Sequence, residues 1–319
     1  MSIYFGGGTP SLWRPDCIAR AIETVVGHYG ARAAGLEITL EANPRDCEPD
    51  HLAAWRSAGV NRISIGVQSL AADELVVLGR DHRFGDGPAA LARVIASGGF
   101  AVSCDFILGT PVPGAASGNG PAWIPSILAT AVDHLSVYEL TIEDRTAFGR
   151  RVGAGRLVPL DEDTLTTLYL GTHEALTAGG FEHYEISSYA RPGKRARHNS
   201  LYWSGAPFLG LGVGAASLYR APDGSAERET NPRRAADYLS GAAPEVVAIP
   251  PSEMAMDTAW LGLRTKDGVP AGLLASAPGV IAWLVEQGLA EVRQDRICPT
   301  LRGFLMADRI AARIVSSWG

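Results

Sequence analysis

Hydrophobic residues recur along this chain with two periods, one of two residues and one of three to four. Short apolar segments bounded by Gly, Pro, Asn or Asp are typical of buried strands, and apolar residues three or four apart indicate one face of a helix. Segments of the first kind alternate with helical patterns over the first 140 residues. We predict strands at residues 3–5, 36–40, 62–67, 102–108 and 135–140.

This alternation favours a parallel, barrel-like α/β sheet. A further strand is predicted at residues 184–188, and a loop rich in Gly, Pro and Ser at residues 110–121. Near the C-terminus the pattern predicts a helix capped by Ser252, a second helix, a hairpin over residues 289–298 and a final helix from Thr300. This order of elements is similar to a winged helix.

The strand–helix repeat ends near residue 190, where a basic segment and then a glycine-rich apolar run replace it. We therefore predict a barrel-like domain over residues 1–190, a connecting segment over residues 191–250 and a small helical domain over residues 251–319. The small domain is expected to be a packing module rather than a nucleic-acid contact, because the net charge of the chain is −6.

Composition limits the cellular setting. With 46% hydrophobic residues the 319-residue chain can bury a core, yet no apolar run approaches the roughly 18 residues of a membrane span. The sequence shows no signal-peptide pattern, so we expect a cytoplasmic protein. The negative net charge argues against non-specific binding to nucleic acid or to an anionic membrane.

The four cysteines are too widely spaced for a metal or redox motif of the CxxC type. In a cytoplasmic protein such cysteines are most often buried as small hydrophobic side chains, and reactive or metal-ligating roles are the alternative. They are Cys17, Cys47, Cys104 and Cys298.

Polar residues stand where the predicted strands end, and a run of three glycines follows the first strand. The carboxyl ends of parallel strands meet at one mouth, and glycines there let backbone groups approach a ligand closely. Taken singly, each polar residue is more simply explained by a capped turn or a solvated loop. Taken together they predict a binding site that comprises Thr9, Glu41, Gln68 and Asp105, with Arg80 on a nearby loop.

Five short motifs are GGGTP at residues 6–10, EANP at 41–44, GVQS at 66–69, LGRDH at 78–82 and DFILG at 105–109. They resemble, in order and spacing, the radical S-adenosylmethionine proteins of the oxygen-independent coproporphyrinogen III oxidase-like family. The block HNSLYW at residues 198–203 is similar to the HNxxYW signature of that family's HemW branch, the haem chaperones. The resemblance covers essentially the whole chain.

This resemblance implies a partial (β/α) barrel of the radical S-adenosylmethionine type that lacks its first strand, with a smaller C-terminal helical, winged-helix-like domain. It also implies two sets of S-adenosylmethionine-binding residues. The set that contacts the methionine part of the cofactor comprises Gly7, Gly8, Thr9 and Glu41. The set that matches a second S-adenosylmethionine site of the dehydrogenase comprises Gln68, Arg80 and Asp105.

The same resemblance makes His198 the candidate haem ligand, because neutral imidazole is a common iron ligand. Tyr202 and Trp203 would supply flat apolar area for a porphyrin face. Without the family, a His beside Asn, Tyr and Trp is more often part of a hydrogen-bonded structural corner, and the resemblance makes the two explanations about equal. The basic residues expected to meet the haem propionates, as guanidinium groups meet carboxylates, are Lys194, Arg195 and Arg197.

One feature of the family does not occur in this sequence. The family carries CxxxCxxC after its first strand, where three thiolates hold the 4Fe-4S cluster that cleaves S-adenosylmethionine. Here the chain starts at what would be the second strand, and no cysteine lies within three residues of another. Two explanations stay open: Met1 lies inside a longer gene, or the chain is a truncated paralogue. We expect the printed polypeptide not to form the cluster and to leave residues 3–5 as a hydrophobic sheet edge.

The resemblance implies a haem chaperone, a protein that binds haem and transfers it to an acceptor protein of unknown identity, and it assigns no catalytic residue. The alternative is an enzyme, the oxygen-independent coproporphyrinogen III dehydrogenase, which decarboxylates two propionates by radical chemistry in porphyrin biosynthesis. The HNxxYW block favours the chaperone. A third interpretation, a winged-helix protein that binds nucleic acid, rests on about the last 70 residues alone.

Overall fold

The computed structural model describes residues 1–29, 35–112 and 121–319. These residues form two compact units, which span residues 1–198 and residues 199–319. The three-part division expected from the sequence stays a prediction. In the part of the chain that the structure describes, no helix is both long enough and apolar enough to cross a membrane.

The first unit contains the predicted strand–helix repeat. Each of the five predicted strands is present, with ends that differ from the prediction by at most two residues. The predicted loop at residues 110–121 lies mostly outside the described residues. The strands are β1 (Ser2–Phe5), β2 (Glu37–Ala42), β3 (Arg62–Gln68), β4 (Ala101–Leu108), β5 (His134–Glu139), β6 (Glu182–Glu185) and β7 (Ser188–Ala190). The helices are α1 (Pro15–Tyr29), α2 (Pro49–Ser57), α3 (Ala72–Val77), α4 (Asp86–Ser97), α5 (Ile124–Leu128), α6 (Ala147–Gly153), α7 (Glu162–Ala178) and α8 (Arg197–Trp203).

These strands form one curled, seven-stranded half-barrel in the order β1-β2-β3-β4-β5-β7-β6. Strands β1 to β5 pair in parallel with their neighbours, as the alternation with helices predicted. Strand β7 pairs antiparallel with both β5 and β6. The single strand predicted at residues 184–188 is therefore wrong, because the chain turns at Ile186 and Ser187 and pairs Glu185 with Ser188.

Side chains alternate strictly between the two faces of this sheet. On β3 the apolar residues Ile63, Ile65 and Val67 face the helices and are almost fully buried. Burial of each such side chain contributes about 1.5–3 kcal/mol, so the apolar face holds the helices on the sheet. The residues between them on β3 are polar or glycine and point to the concave, inner face. Polar residues at inner positions of the other parallel strands include Tyr4, Glu37, Thr39, Glu41, Ser103, Asp105, His134 and Ser136.

Strand β1 lies at one edge of the half-barrel and pairs with β2. The fold therefore places Ile3 and Phe5 beside the apolar core at that edge, where they are partly buried. The three glycines follow the carboxyl end of β1. Glu41 and Gln68 lie at the carboxyl ends of β2 and β3, at the same edge of the parallel sheet.

The second unit has two small antiparallel sheets and its own core. Strand β13 (Arg296–Pro299) pairs with both β11 (Val269–Pro270) and β12 (Ala290–Arg293), and the predicted hairpin at residues 289–298 is confirmed to within one residue. The expected Ser252 cap is wrong: the helix begins after Pro250 with Pro251 as its first residue, where proline's fixed φ suits a helix start. The strands are β8 (Ala216–Arg220), β9 (Ala226–Thr230), β10 (Glu245–Ile249), β11 (Val269–Pro270), β12 (Ala290–Arg293) and β13 (Arg296–Pro299). The helices are α9 (Ala235–Leu239), α10 (Pro251–Gly262), α11 (Val280–Glu286), α12 (Leu301–Leu305) and α13 (Ala307–Ser317).

Candidate functional site

The glycine turn after β1 is open above its backbone. Gly7 and Gly8 have φ of 80° and 64°, in the left-handed region that favours glycine. A methyl group added at either residue would meet no atom of the described residues within 4 Å. The backbone conformation favours glycine here, and the described residues leave the space beside these two Cα atoms unfilled. Thr9, which follows, is exposed and leads into the short 3-10 turn Pro10–Leu12.

Glu41 on β2 closes the side of this turn. Its Oε2 accepts the Gly7 N–H at 3.3 Å and its Oε1 accepts the Tyr4 hydroxyl at 2.6 Å. Burial and the nearby Glu41 carboxylate raise the pKa of Tyr4, so the phenol stays protonated and donates. A carboxylate offers about four acceptor positions, which leaves Glu41 able to accept a ligand ammonium or hydroxyl group as well.

Gln68 ends β3 in a strained conformation, with φ of 67°. Two donors hold the carbonyl oxygen of Val67 just before it: the Ser69 N–H at 2.8 Å and His82 Nε2 at 3.1 Å. The β3–β4 register shifts between Ile65 and Gln68. A methyl group at Gly66 would lie 2.8 Å from the Gln68 amide nitrogen, so Gly66 makes room for a side chain that folds back over the inner face.

Asp105 lies on the inner face of β4 beside Ser64 of β3. Burial raises the pKa of Asp105 to about 6. Hydrogen bonds from Ser136 and Ser64 lower this pKa, and the charge of Glu41 raises it. Arg80 lies on the loop after α3 and interacts with Asp105. Loss of hydration lowers the pKa of Arg80, and the charges of Asp81 and Asp105 raise it. Asp105 therefore interacts electrostatically with both Glu41 and Arg80.

His198 sits at the start of α8 within the first unit. Glu37 of β2 caps this helix start: its carboxylate accepts the Arg197 N–H at 3.0 Å and the His198 N–H at 2.9 Å. The imidazole stacks on the Tyr4 ring, with centroids 4.4 Å apart and planes 22° apart. Ser2 Oγ lies 3.1 Å from Nδ1. Burial lowers the pKa of His198, so the ring is neutral at pH 7.

The basic residues before α8 already have protein partners. Arg195 makes a two-pronged hydrogen bond to the Glu182 carboxylate at 2.9 and 2.6 Å, and Lys194 lies 3.2 Å from Asp133. The Arg197 guanidinium donates to the Gly35 carbonyl. The predicted contacts of these residues with propionates stay a prediction, and they would have to replace or share these interactions.

Tyr202 and Trp203 belong to the second unit, because the division between the units falls inside α8 after His198. The Tyr202 ring is 52% exposed and meets Trp203 edge-on at a centroid distance of 5.5 Å. Phe208 lies 6.3 Å from Tyr202. These rings form an aromatic surface on the second unit, next along the chain to the exposed apolar residue Leu209.

The chemistry of these groups suits S-adenosylmethionine but not an iron-sulfur cluster. Carboxylates and an open glycine turn match an amino acid with a sulfonium cation. A 4Fe-4S cluster needs thiolates gathered in one place. Three of the four cysteines are buried, the fourth is partly buried, and the described residues contain no group of three or more His, Cys, Asp or Glu placed to hold a metal ion.

The predicted position at a strand end is confirmed for Glu41 and Gln68 but wrong for Asp105, which lies inside β4, three residues before its end. The inner-face residues that contact these side chains were not predicted. Four inner-face residues each contact a predicted site residue: Tyr4, Ser2, Glu37 and Ser64. The available signal was the period of two: on each parallel strand the polar residues alternate with the apolar ones that face the helices. In a half-barrel that polar face is the concave side.

The half-barrel and the groups at its mouth define a protein of the radical S-adenosylmethionine class. Residues 2–113 match the family model described as the Radical SAM superfamily. The structure also resembles that of Escherichia coli HemN, titled a coproporphyrinogen III oxidase and radical SAM enzyme, with a TM-score of 0.77 over 98% of this chain and 77% of that one. At 20% identity, this likeness shows the fold alone.

Sequence relatives narrow the assignment. The protein "Heme chaperone HemW" of Mycobacterium tuberculosis is 34% identical over 98% of this chain and 80% of its own length. The Escherichia coli protein of the same name is 38% identical over 75% of this chain and 62% of its own length. A mouse mitochondrial protein, "Radical S-adenosyl methionine domain-containing protein 1", is 40% identical over 67% of this chain and 48% of its own length. The chain belongs to the HemW family.

Proposed function

We propose that this protein is a cytoplasmic haem chaperone, which binds haem and passes it to an acceptor protein, on a half-barrel that also holds S-adenosylmethionine. The observation that carries the proposal is the similarity to "Heme chaperone HemW" over 98% of the chain. The geometry supports it through a neutral imidazole at the start of α8, which three successive contacts connect to the glycine turn.

His198 would bind the haem iron. Its Nδ1 faces Ser2. In the tautomer in which Nδ1–H donates a hydrogen bond to Ser2 Oγ, Nε2 carries the lone pair that would bind a metal. Its depressed pKa keeps the ring in the unprotonated form that iron ligation requires. Tyr202 and Trp203 would add apolar contact with the porphyrin.

The glycine turn would bind the methionine part of S-adenosylmethionine, which supplies a sulfonium cation when bound. Glu41 would accept hydrogen bonds from the ligand ammonium, while Gly7, Gly8 and Thr9 would offer backbone and hydroxyl groups to its carboxylate. Asp105, Gln68 and Arg80 would border the same inner face. No step is assigned to a 4Fe-4S cluster, because the described residues provide no set of ligands that fits one.

The enzymatic alternative, coproporphyrinogen III dehydrogenase, draws support from the HemN structure only at the level of the fold. No contact at the site of this chain favours it over the chaperone. The chaperone therefore remains the proposed function.

Haem titration followed by the Soret band tests the proposal. We expect saturable binding by the whole chain and a loss of at least about tenfold in affinity for His198→Ala, since removal of an iron ligand costs more than about 1.4 kcal/mol. His28→Ala is the matched control, because His28 is exposed on α1. Equal affinities of His198→Ala and the native chain would overturn the assignment of His198.

A further inference from the structure

Tyr4 contacts both halves of the proposed site. Its ring face stacks on the His198 imidazole at 4.4 Å, and its hydroxyl donates to Glu41 at 2.6 Å. Glu41 in turn accepts the Gly7 N–H. A continuous path of contacts therefore runs from the glycine turn through one carboxylate and one phenol to the imidazole.

The backbone around Tyr4 is shaped to allow this arrangement. A methyl group at Gly6 would lie 2.6 Å from the Tyr4 ring and 3.1 Å from Glu41 Oε1. Any side chain at Gly6 would therefore push the ring or the carboxylate away. Gly6 does not have a positive φ, unlike Gly7 and Gly8, so its lack of a side chain serves the Tyr4–Glu41 contact rather than the turn.

Two further groups hold His198. Glu37 accepts the backbone N–H of His198, and Ser2 faces the imidazole Nδ1. Both partners start strands of the rigid sheet. Tyr4 is the neighbour of the ring that also touches Glu41, so a change at Glu41 is transmitted to the imidazole through Tyr4.

Ordering of the shared side chains gives the direction of this coupling. A ligand that fixes the Glu41 carboxylate also fixes the Tyr4 hydroxyl, and hence the ring under His198. A second ligand that needs the same groups ordered then binds at a smaller entropic cost.

We propose that Tyr4 is a positioning residue that couples the two ligands: occupation of the glycine turn by an amino-acid ammonium, as in S-adenosylmethionine, tightens haem binding at His198. This inference rests on the proposed function. Coupling through one side chain is expected at the lower end of the usual range, about fivefold in affinity. Thermodynamic reciprocity requires haem to tighten S-adenosylmethionine binding by the same factor.

The test measures haem affinity by Soret titration with and without saturating S-adenosylmethionine, and the reciprocal effect by calorimetry. The native chain should show about a fivefold tightening in both directions. Tyr4→Phe keeps the stacked ring but loses the hydroxyl, so whatever its affinity for each ligand, the ratio of haem affinities with and without S-adenosylmethionine should be near one. Tyr29→Phe, at an exposed position of α1, is the matched control and should keep the native factor.

Gly6→Ala provides a second perturbation that leaves the phenol intact, and it should also reduce the factor toward one. Urea unfolding of each variant shows whether it is folded. A factor of one in the native chain, an unchanged factor in both Tyr4→Phe and Gly6→Ala, or no binding of S-adenosylmethionine to the native chain overturns the coupling. The first two results leave the proposed function standing, whereas a native chain that binds no S-adenosylmethionine also removes that ligand from it. The haem-chaperone proposal fails separately, if the native chain shows no saturable Soret change.

Discussion

The Ser64 hydroxyl lies 3.1 Å from each of the two carboxylate oxygens of Asp105, across adjacent parallel strands of the half-barrel. Despite this hydrogen bond, burial raises the pKa of Asp105 from 3.8 to about 6. The inner face therefore keeps a carboxyl group whose charged form is disfavoured in the folded protein.

This pKa predicts how stability depends on pH. Between about pH 4 and pH 6 the folded state binds more protons at Asp105 than the unfolded state, so the free energy of unfolding falls as pH rises through this window. The loss is complete above about pH 6. Asp105→Asn removes this pH dependence, while its amide oxygen still accepts a hydrogen bond from Ser64. The free energy of unfolding of the variant, relative to that of the native chain, should therefore be higher at pH 7.5 than at pH 4 by about 2 kcal/mol.

Urea unfolding of both proteins at those two pH values measures this difference. Ser204→Ala, which changes an exposed residue of the second unit, should show no such pH-dependent gain. A gain of the same size at pH 4 and pH 7.5 would contradict the raised pKa.

Strain at Gln68 makes a second prediction. A non-glycine residue in the left-handed region costs roughly 1 kcal/mol, so Gln68→Gly should raise the free energy of unfolding by about that amount. The same change removes the side chain from the inner face and should weaken binding of S-adenosylmethionine. Gln68→Ala keeps the strain and loses the side chain, so it should lose binding without becoming more stable. Urea unfolding and calorimetry of the pair separate the two effects.

Glu37 links the start of α8 to the sheet, and its loss should be severe. Glu37→Ala removes the acceptor for two backbone N–H groups and leaves the buried Arg62, which lies 3.7 Å from that carboxylate, without this partner. We expect a loss of about 2–4 kcal/mol in the free energy of unfolding, with faster hydrogen exchange in α8.

Glu48→Ala is the matched control for this prediction. Glu48 is exposed and pairs with Arg93 at 3.3 Å, so its removal should cost less than about 1 kcal/mol. Equal costs for the two glutamates would show that the helix cap contributes little.

Substitution of two glycines of the first unit by alanine should affect different properties: ligand binding for one and stability for the other. Gly8→Ala adds a methyl group in open space at positive φ, so stability should fall by only about 1 kcal/mol while S-adenosylmethionine binding falls at least about tenfold. In Gly149→Ala the methyl group would collide with the backbone of Glu143 and Asp144. That variant should lose more stability, but the molecules that fold should bind S-adenosylmethionine normally.

Thermal unfolding followed by calorimetry at a temperature where both variants are folded checks this pair. Normal binding by Gly8→Ala would remove the glycine turn from the proposed site. Impaired binding by folded Gly149→Ala would show that a substitution outside the glycine turn also weakens binding, so the Gly8→Ala result would not identify the turn as the binding site.

Local pattern was sufficient for the five parallel strands. The ends of β2 and β3 beside Glu41 and at Gln68 follow from a period of two and from turn residues, both of which depend on backbone geometry over a few residues. The expected strand end at Asp105 is wrong, because β4 continues to Leu108. The single strand expected at 184–188 is wrong because two short strands and the turn between them share that segment.

The amino-acid sequence by itself determined the parallel repeat, the alternation of apolar and polar faces, and the residues at the strand ends, because each depends on neighbours within a few positions. Only the tertiary structure decided that Ser2 meets His198 across 196 positions, that Glu37 caps α8 and that Tyr4 joins the imidazole to Glu41. Such contacts depend on the order and curvature of the strands. These are set by the packing of the whole sheet against its helices, which no local pattern records.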